Sequence, residues 1–152
     1  MLPLAPDATP VTSILRQAER KDVPGIWDVR YAVTENTLLP GRVSDEDVRR
    51  EMTDTGRGWV IEDAGEIEAF GIANGVSGNI WALFVHPRAQ GRGHGSRLHD
   101  EMLAWLRTKS VAMLWLTTGE TTRARGFYER RGWKCVGLVE PGEARLERRN
   151  GA

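Results

Sequence analysis

A glycine-rich turn between a predicted strand and a predicted helix is the stretch of this chain best suited to bind an anion. An apolar run over Ile80–Val85 predicts the strand, and apolar residues at helical spacing over Leu98–Leu106 predict the helix. Gly91, Gly93 and Gly95 lie between them, and such closely spaced glycines let the backbone turn tightly and approach a ligand. N–H groups at a helix N-terminus favour negative charge. The arrangement therefore predicts a phosphate or pyrophosphate site.

Two other phosphate-binding patterns fit this turn less well. The glycine spacing lacks the third glycine of the dinucleotide fingerprint, and no acidic residue suited to a ribose follows where a Rossmann unit requires it. A P-loop would need Gly-Lys-Ser/Thr, and the turn contains no Lys. Arg88, Arg92 and Arg97 concentrate positive charge around the turn, which would help to hold a multiply anionic cofactor. For Arg88 and Arg97, an ordinary solvated surface is the alternative.

The segment Gln90-Gly91-Arg92-Gly93-His94-Gly95 follows a strand and the pair His86-Pro87, and it matches Gln/Arg-x-x-Gly-x-Gly/Ala. It resembles motif A of the GCN5-related N-acetyltransferases, whose loop cradles the pyrophosphate of acetyl-coenzyme A (acetyl-CoA). The resemblance implies acetyl-CoA as cosubstrate; a plain strand-to-helix turn is the alternative. The residues that the resemblance assigns to cofactor binding are Phe84, Val85, Gln90, Gly91, Arg92, Gly93, His94, Gly95 and Ser96.

A second motif lies about thirty residues further on. Ala124, Phe127 and Tyr128, followed by Gly132-Trp133, fit Asn-x-x-Ala-x-x-Phe/Leu-Tyr…Gly-Trp/Phe and look like motif B of the same superfamily. Thr121 stands where the family usually has Asn, and the resemblance assigns it to cofactor binding. The resemblance also implies that Tyr128 is the general acid for the coenzyme A thiolate, with aromatic packing as its alternative role.

Acetyl transfer needs a neutral amine, and the sequence leaves open which group removes the proton. Glu35 and Glu120 are the carboxylates expected to face the acceptor side, and a water chain is the alternative. The resemblance places the acceptor pocket at Trp27, Tyr31, Glu35, Asn36 and the loop over residues 38–42. The three histidines lack a carboxylate or Cys at ligand spacing, so no metal site is expected.

Composition limits the remaining possibilities. At 152 residues the chain fits one domain, over residues 13–152, with residues 1–12 as a loose tail and no signal peptide. A formal charge of zero gives no reason to expect nucleic acid or a membrane surface as partner. The single Cys135 cannot form an internal disulfide, so the cytoplasm is the expected location and Cys135 a packing residue. The six tryptophans are expected mostly in the core.

The predicted elements form an α/β domain that carries the two motifs. Strand, two helices and three antiparallel strands precede the glycine turn, with Asp22 and Ser44 as helix N-caps and a hairpin turn at Ala64-Gly65. A helix ending near Lys109, a buried strand parallel to the central one, a helix over residues 121–131 and two more strands follow. The last strand, over residues 143–149, is predicted to be an antiparallel edge. The resemblance implies a mixed, mostly antiparallel sheet of about seven strands flanked by four helices, with splayed central parallel strands.

The resemblance implies an enzyme that moves an acetyl group from acetyl-CoA to a primary amine of a small molecule, by direct attack in a ternary complex. Two alternatives stay open. One is a non-catalytic sensor domain that binds acyl-CoA, and the other is a protein N-acetyltransferase. The donor's acyl length, the acceptor and a homodimeric state also remain open.

Overall fold

The computed structural model describes residues 12–34 and 43–152. Most of the predicted tail, Glu35, Asn36 and the loop over residues 38–42 lie outside these ranges. The elements in chain order are β1 (Ile14–Gln17), a 3-10 turn (Arg20–Asp22), α1 (Val23–Ala32), α2 (Asp45–Thr53), β2 (Gly56–Asp63), β3 (Glu66–Asn74), β4 (Ile80–Val85), a 3-10 turn (Pro87–Ala89), α3 (His94–Leu106), β5 (Met113–Gly119), α4 (Arg123–Glu129), β6 (Lys134–Glu140) and β7 (Glu143–Arg149). These seven strands and four helices confirm the predicted α/β class.

The strands form two antiparallel groups that meet at one point in the described part of the chain. One group has the order β1-β2-β3-β4, and the other has the order β5-β7-β6. Asn79, just before β4, forms a parallel bridge with Trp115 of β5, and the Trp115 amide donates to the carbonyl of Gly78 at 3.1 Å. Beyond this bridge β4 and β5 share no ladder in the described ranges, so the predicted splay between the two parallel strands is confirmed.

Two apolar cores lie on opposite faces of the four-stranded group. Leu98, Met102 and Leu106 of α3 are fully buried on one face. Val29 of α1 and Val48 of α2 are buried on the other. Side chains that alternate along β2 and β3 supply both cores, as the two-residue period of a strand requires. Helices therefore cover both faces of the four-stranded group, and β4 with its glycine turn lies beside the opening to β5.

Local signals predicted several boundaries well. Ser44 caps α2: its hydroxyl accepts from the amide of Asp47 at 3.1 Å, and the Asp47 carboxylate accepts from the amide of Ser44 at 2.9 Å. Ala64 and Gly65 both have positive φ, at 51° and 82°, in the tight turn between β2 and β3. The helix of the first motif ends at Leu106, slightly earlier than predicted, and the helix of the second covers only Arg123–Glu129.

Two predictions are corrected by the structure. Asp22 stands at the N-cap position of α1, but its side chain does not cap that helix. Its carboxylate accepts two 2.8 Å hydrogen bonds from Arg16 and one of 2.7 Å from the amide of Glu19. The strand β7 is not an edge, because it lies between β5 and β6. The charged residues of β7 other than Arg149 are themselves partly buried, and β6 is the exposed strand instead.

Candidate functional site

A cavity of about 560 Å³ opens where β4 and β5 separate. Its walls come from β4, the glycine turn, the middle of β5 and the inward face of α4, together with Val33 just after α1. The lining residues on these elements include most of those assigned from the two motifs: Phe84, Val85, Gln90, Gly91, Gly93, His94, Gly95, Ser96, Ala124, Phe127 and Tyr128. The splay of the strands therefore brings two motifs that are distant in sequence onto one cavity.

The glycine turn leaves an open cradle at one end of this cavity. Gly91 and Gly93 have φ of +80° and +83°, and a Cβ added to either would meet no atom within 4 Å. The glycines are therefore required by backbone conformation, and the space in front of them is available to a ligand. The first helical hydrogen bond of α3 runs from the Arg97 amide to the Gly93 carbonyl at 3.1 Å. The amides of His94, Gly95 and Ser96 therefore have no partner within the helix and can bind an anion.

A buried pair of side chains supports the cradle from beneath. His94 and Glu68 are only 3% and 6% exposed, and the Nε2 of His94 lies 3.0 Å from the Glu68 carboxylate. Glu68 reaches this position because it is the extra residue of a β-bulge: Glu62 pairs with Ile67, and Ile61 pairs with Ala69. The Nη1 of Arg92 donates to the same carboxylate at 3.3 Å. Arg92 is thus turned to Glu68 and is not among the lining residues.

The positive charge of the cavity comes from residues that the sequence analysis missed. Arg131 donates from Nη2 to the Ser96 hydroxyl at 2.5 Å and lies 3.7 Å over the ring of Phe127. It lines the cavity together with Arg123 and Arg130, and the described lining contains no Asp or Glu. The three arginines lie in or just after α4. In the sequence, only their spacing around Tyr128 could have indicated that they line the same cavity.

The side chains of two arginines near the glycine turn are directed away from the cavity. Arg88 contacts the carboxylate of Glu66 at 3.3 Å, and Arg97 donates to the hydroxyl of Ser13 at 3.0 Å. Neither lines the cavity. Their alternative role as ordinary surface residues therefore fits the geometry better than phosphate binding.

Tyr128 forms part of the cavity wall and is 6% exposed. Its ring packs edge-on against Phe127 and Trp133, with centroids 5.2 Å and 5.6 Å apart. Burial raises the pKa of the Tyr128 phenol. A phenol is already protonated at neutral pH, and burial reinforces this, so Tyr128 is available as a hydrogen-bond donor in the cavity wall.

His99 fixes the aromatic cluster behind Tyr128. The indole Nε1 of Trp133 donates to His99 Nε2 at 3.0 Å, so Nε2 is the unprotonated ring nitrogen. Burial lowers the pKa of His99, which keeps the ring neutral with its proton on Nδ1, 3.4 Å from the Asp100 carboxylate. No local sequence pattern indicates this contact, because Trp133 lies 34 residues beyond His99.

Other predicted site residues lie outside the cavity lining. Thr121 is exposed, and the next residue, Thr122, lines the cavity in its place as the N-cap residue of α4. Glu120 is also exposed. Trp27 and Tyr31 stack on each other with centroids 5.3 Å apart, and neither reaches the cavity. Trp27 instead donates to Asp45 at 2.6 Å, which ties α1 to α2.

The described residues form no candidate metal site and no candidate membrane-spanning helix. Within residues 12–34 and 43–152, no group of three or more His, Cys, Asp or Glu side chains is placed to hold a metal ion. None of the helices in those ranges is long and apolar enough to cross a membrane.

Comparison with known proteins places these features in context. Residues 24–133 match the model of the acetyltransferase (GNAT) family. The chain is 35% identical over 86 residues to a mycothiol acetyltransferase from Beutenbergia cavernae, a match that covers 53% of this chain and 29% of that protein. The chain therefore spans less than a third of this relative.

Solved structures share the fold over nearly the whole chain. The ribosomal-protein-S18-alanine N-acetyltransferase from Escherichia coli superposes with a TM-score of 0.73 at 18% identity, covering 92% of this chain and 95% of that one. Ard1 from Thermoplasma volcanium gives 0.74 at 20% identity, with 91% and 98% covered. A GCN5-related N-acetyltransferase from Kribbella flavida gives 0.74 at 21% identity, with 93% and 99% covered. At these identities the likeness establishes the fold alone.

Proposed function

The chain belongs to the acetyltransferase (GNAT) family, and from that premise we propose that it transfers an acetyl group from acetyl-CoA to a primary amine of a small molecule. The observation that carries this proposal is the single cavity that joins the open glycine cradle to the wall containing Tyr128. The cradle suits a diphosphate, because Gly91 and Gly93 leave free space in front of the N-terminus of α3.

The residues around the cavity fit an extended, multiply anionic cosubstrate. Arg123, Arg130 and Arg131 add positive charge to that of the helix N-terminus. β3 pairs with one edge of β4, and beyond Asn79 the other edge faces the opening. Main-chain groups near Phe84 and Val85 can therefore bind the amides of the pantetheine arm. Bound acetyl-CoA would supply the activated thioester there.

The electrostatics of the cavity favour an amine in its reactive, neutral form. Taking an ammonium ion out of water is unfavourable unless an opposite charge pairs with it. The described lining holds no carboxylate to pair with an ammonium ion, so an amine that enters it loses its proton more readily than in water. The proton can pass to solvent, since no described carboxylate lines the cavity to accept it. Glu35 lies outside the described residues and stays a prediction as general base; Glu120 is exposed and outside the lining.

Tyr128 is the residue that we propose donates to the departing sulfur. Its raised pKa keeps the phenol protonated, and its packing against Trp133 holds the ring in place. A phenol is a weaker acid than a thiol, so the hydroxyl stabilises the developing thiolate mainly by hydrogen bonding.

A thiol-release assay tests this proposal across a panel of small amines, peptides and polyamines. Tyr128→Phe keeps the ring packing and removes only the hydroxyl. We expect it to lower kcat by about 10²-fold or more, while calorimetry shows nearly unchanged coenzyme A affinity. An equal loss of turnover and affinity would reduce Tyr128 to a packing residue. Coenzyme A binding without thiol release on any amine would favour a sensor domain, and release on peptides alone would favour a protein acetyltransferase.

A further inference from the structure

Arg30 of α1 has no hydrogen-bond or ion-pair partner among the residues that the structure describes. Its guanidinium carbon lies 4.3 Å from the ring centre of Phe84. Its Nη1 is buried and unpaired, and burial lowers the pKa of Arg30. Arg16, by contrast, is held between Asp22 and Glu62 at 2.8 Å from each. A partly buried cation without an anion is costly, so Arg30 is a candidate to bind an anionic group.

Arg30 is not among the lining residues of the cavity, but it lies directly beside one of them. Phe84, beneath the guanidinium, lines the cavity, and so does Val33, about one helical turn further along the chain. Phe84 belongs to the core beneath α1, whereas Val85 packs against the core beneath α3. The glycine cradle lies at the N-terminus of α3. Arg30 is therefore on the opposite side of β4 from the cradle, which is the side left open to a second substrate if the cosubstrate occupies the cradle.

The charges of the cavity favour an acceptor that carries an anion. The described lining contains no carboxylate that would pair with a cationic amine such as a polyamine. Beside the lining residue Phe84, Arg30 offers a guanidinium whose planar edge suits a carboxylate. The stacked Phe84 ring holds this edge in place and shields it from water, which strengthens its interaction with an anion.

We propose that Arg30 binds a carboxylate of the acceptor, so that the substrates are amines with a carboxylate a few atoms from the nitrogen, as in α-amino acids. The carboxylate and the amine nitrogen of the acceptor have to be close together for the following reason. The Arg30 guanidinium lies over the ring of Phe84, and Phe84 belongs to the β4 segment where the thioester is proposed to bind. This inference rests on the proposed acetyl transfer and names its substrate class.

The test compares α-amino acids with their primary amides in the thiol-release assay. Arg30→Gln is expected to lower kcat/KM for the acids by about tenfold or more, because hydrogen bonds to a charged group contribute that much. The amides should change little, and coenzyme A affinity should not change. The ratio of wild type to variant cancels the different basicities of the two amine series. Arg57→Gln is the matched control, since Arg57 also lies over an aromatic ring, 5.5 Å from the centroid of Trp105, away from the cavity.

The outcomes separate this inference from the proposed function. If Arg30→Gln lowers kcat/KM for acids and amides equally, or lowers it for neither, the role of Arg30 is overturned while acetyl transfer stands. If no amine releases thiol, acetyl transfer fails, and calorimetry decides the role of Arg30 by titrating an amino acid into the coenzyme A complex. Weaker binding of that amino acid to Arg30→Gln supports the inference, and equal binding overturns it. Should Arg30→Gln not fold, Arg30→Lys carries the same comparison, because it keeps the charge but loses the planar fork.

Discussion

The buried pair of Glu68 and His94 offers a quantitative test of how the cradle is held. The two side chains are 6% and 3% exposed and 3.0 Å apart. His94→Leu leaves the carboxylate with only the half-exposed Arg92 at 3.3 Å. Glu68→Leu leaves the imidazole with neither nitrogen paired among the described residues, because its Nδ1 is already buried without a partner. Each single substitution therefore strands a polar group in the interior.

The expected losses of unfolding free energy differ between the two variants. His94→Leu strands a carboxylate and should cost about 3–5 kcal/mol, the usual effect of removing one partner from a buried pair. Glu68→Leu leaves the imidazole without a partner and should cost about 1–3 kcal/mol, the usual effect of stranding a buried polar group. In the double variant neither group is stranded. Its loss should therefore be smaller than the sum of the single losses by about 1–3 kcal/mol.

Urea unfolding followed by tryptophan fluorescence measures all three variants, since Trp133 and Trp59 are buried in the main core. Arg92→Ala is the control, because its contact with Glu68 is half exposed and should contribute only about 0–1 kcal/mol. Losses that add within about 0.5 kcal/mol would refute the reasoning. In that case the two residues would not act as a pair, and the bulge at Glu68 would need another explanation.

Two further predictions concern the scaffold. Burial acts to raise the pKa of Asp22, but hydrogen bonds from Arg16 and the amide of Glu19 outweigh it, and the net pKa is lowered. The contribution of Asp22 to stability is therefore complete above its unfolded pKa of about 4 and is lost as pH falls through the lower folded pKa. In urea unfolding across this pH range, the unfolding free energy of Asp22→Asn should fall less steeply with decreasing pH than that of the wild type. An identical fall in both proteins would contradict this role of Asp22. A Cβ at position 56 would overlap the carbonyl oxygens of Glu51 and Ala73, so Gly56→Ala should lower the unfolding free energy by about 1–3 kcal/mol, and a variant as stable as the wild type would argue against this packing.

Features governed by neighbouring residues were predictable from the sequence. The N-cap at Ser44 and the turn at Ala64-Gly65 depend on residues within one turn of the chain, and both form as predicted. The glycine bend before α3 was predictable for the same reason, because positive φ at Gly91 and Gly93 requires glycine whatever packs around them. The predicted order of strands and helices followed from hydrophobic periodicity.

Features governed by strand pairing, or by contacts between residues distant in sequence, were not predictable. The bulge that turns Glu68 beneath the cradle depends on the register between β2 and β3, which no local signal specifies. The central position of β7 depends on which strand β5 pairs with, and its alternating charges suggested an edge. Arg131 reaches Ser96 across 35 residues of sequence. The contact of Arg30 with Phe84 joins a helix to a distant strand, so no local signal indicates it.

The most direct test of the central claim is calorimetric titration of coenzyme A into Gly93→Val and Gly65→Val. The two glycines have φ of +83° and +82°, and a Cβ at either would meet no atom within 4 Å. Both variants should therefore lose a similar stability, about 1–3 kcal/mol. Only Gly93→Val places its side chain where the diphosphate should bind, and we expect its coenzyme A affinity to fall by about 100-fold or more while that of Gly65→Val is retained. Undiminished affinity in Gly93→Val, or an equal loss in both variants, would contradict the assignment of the cradle.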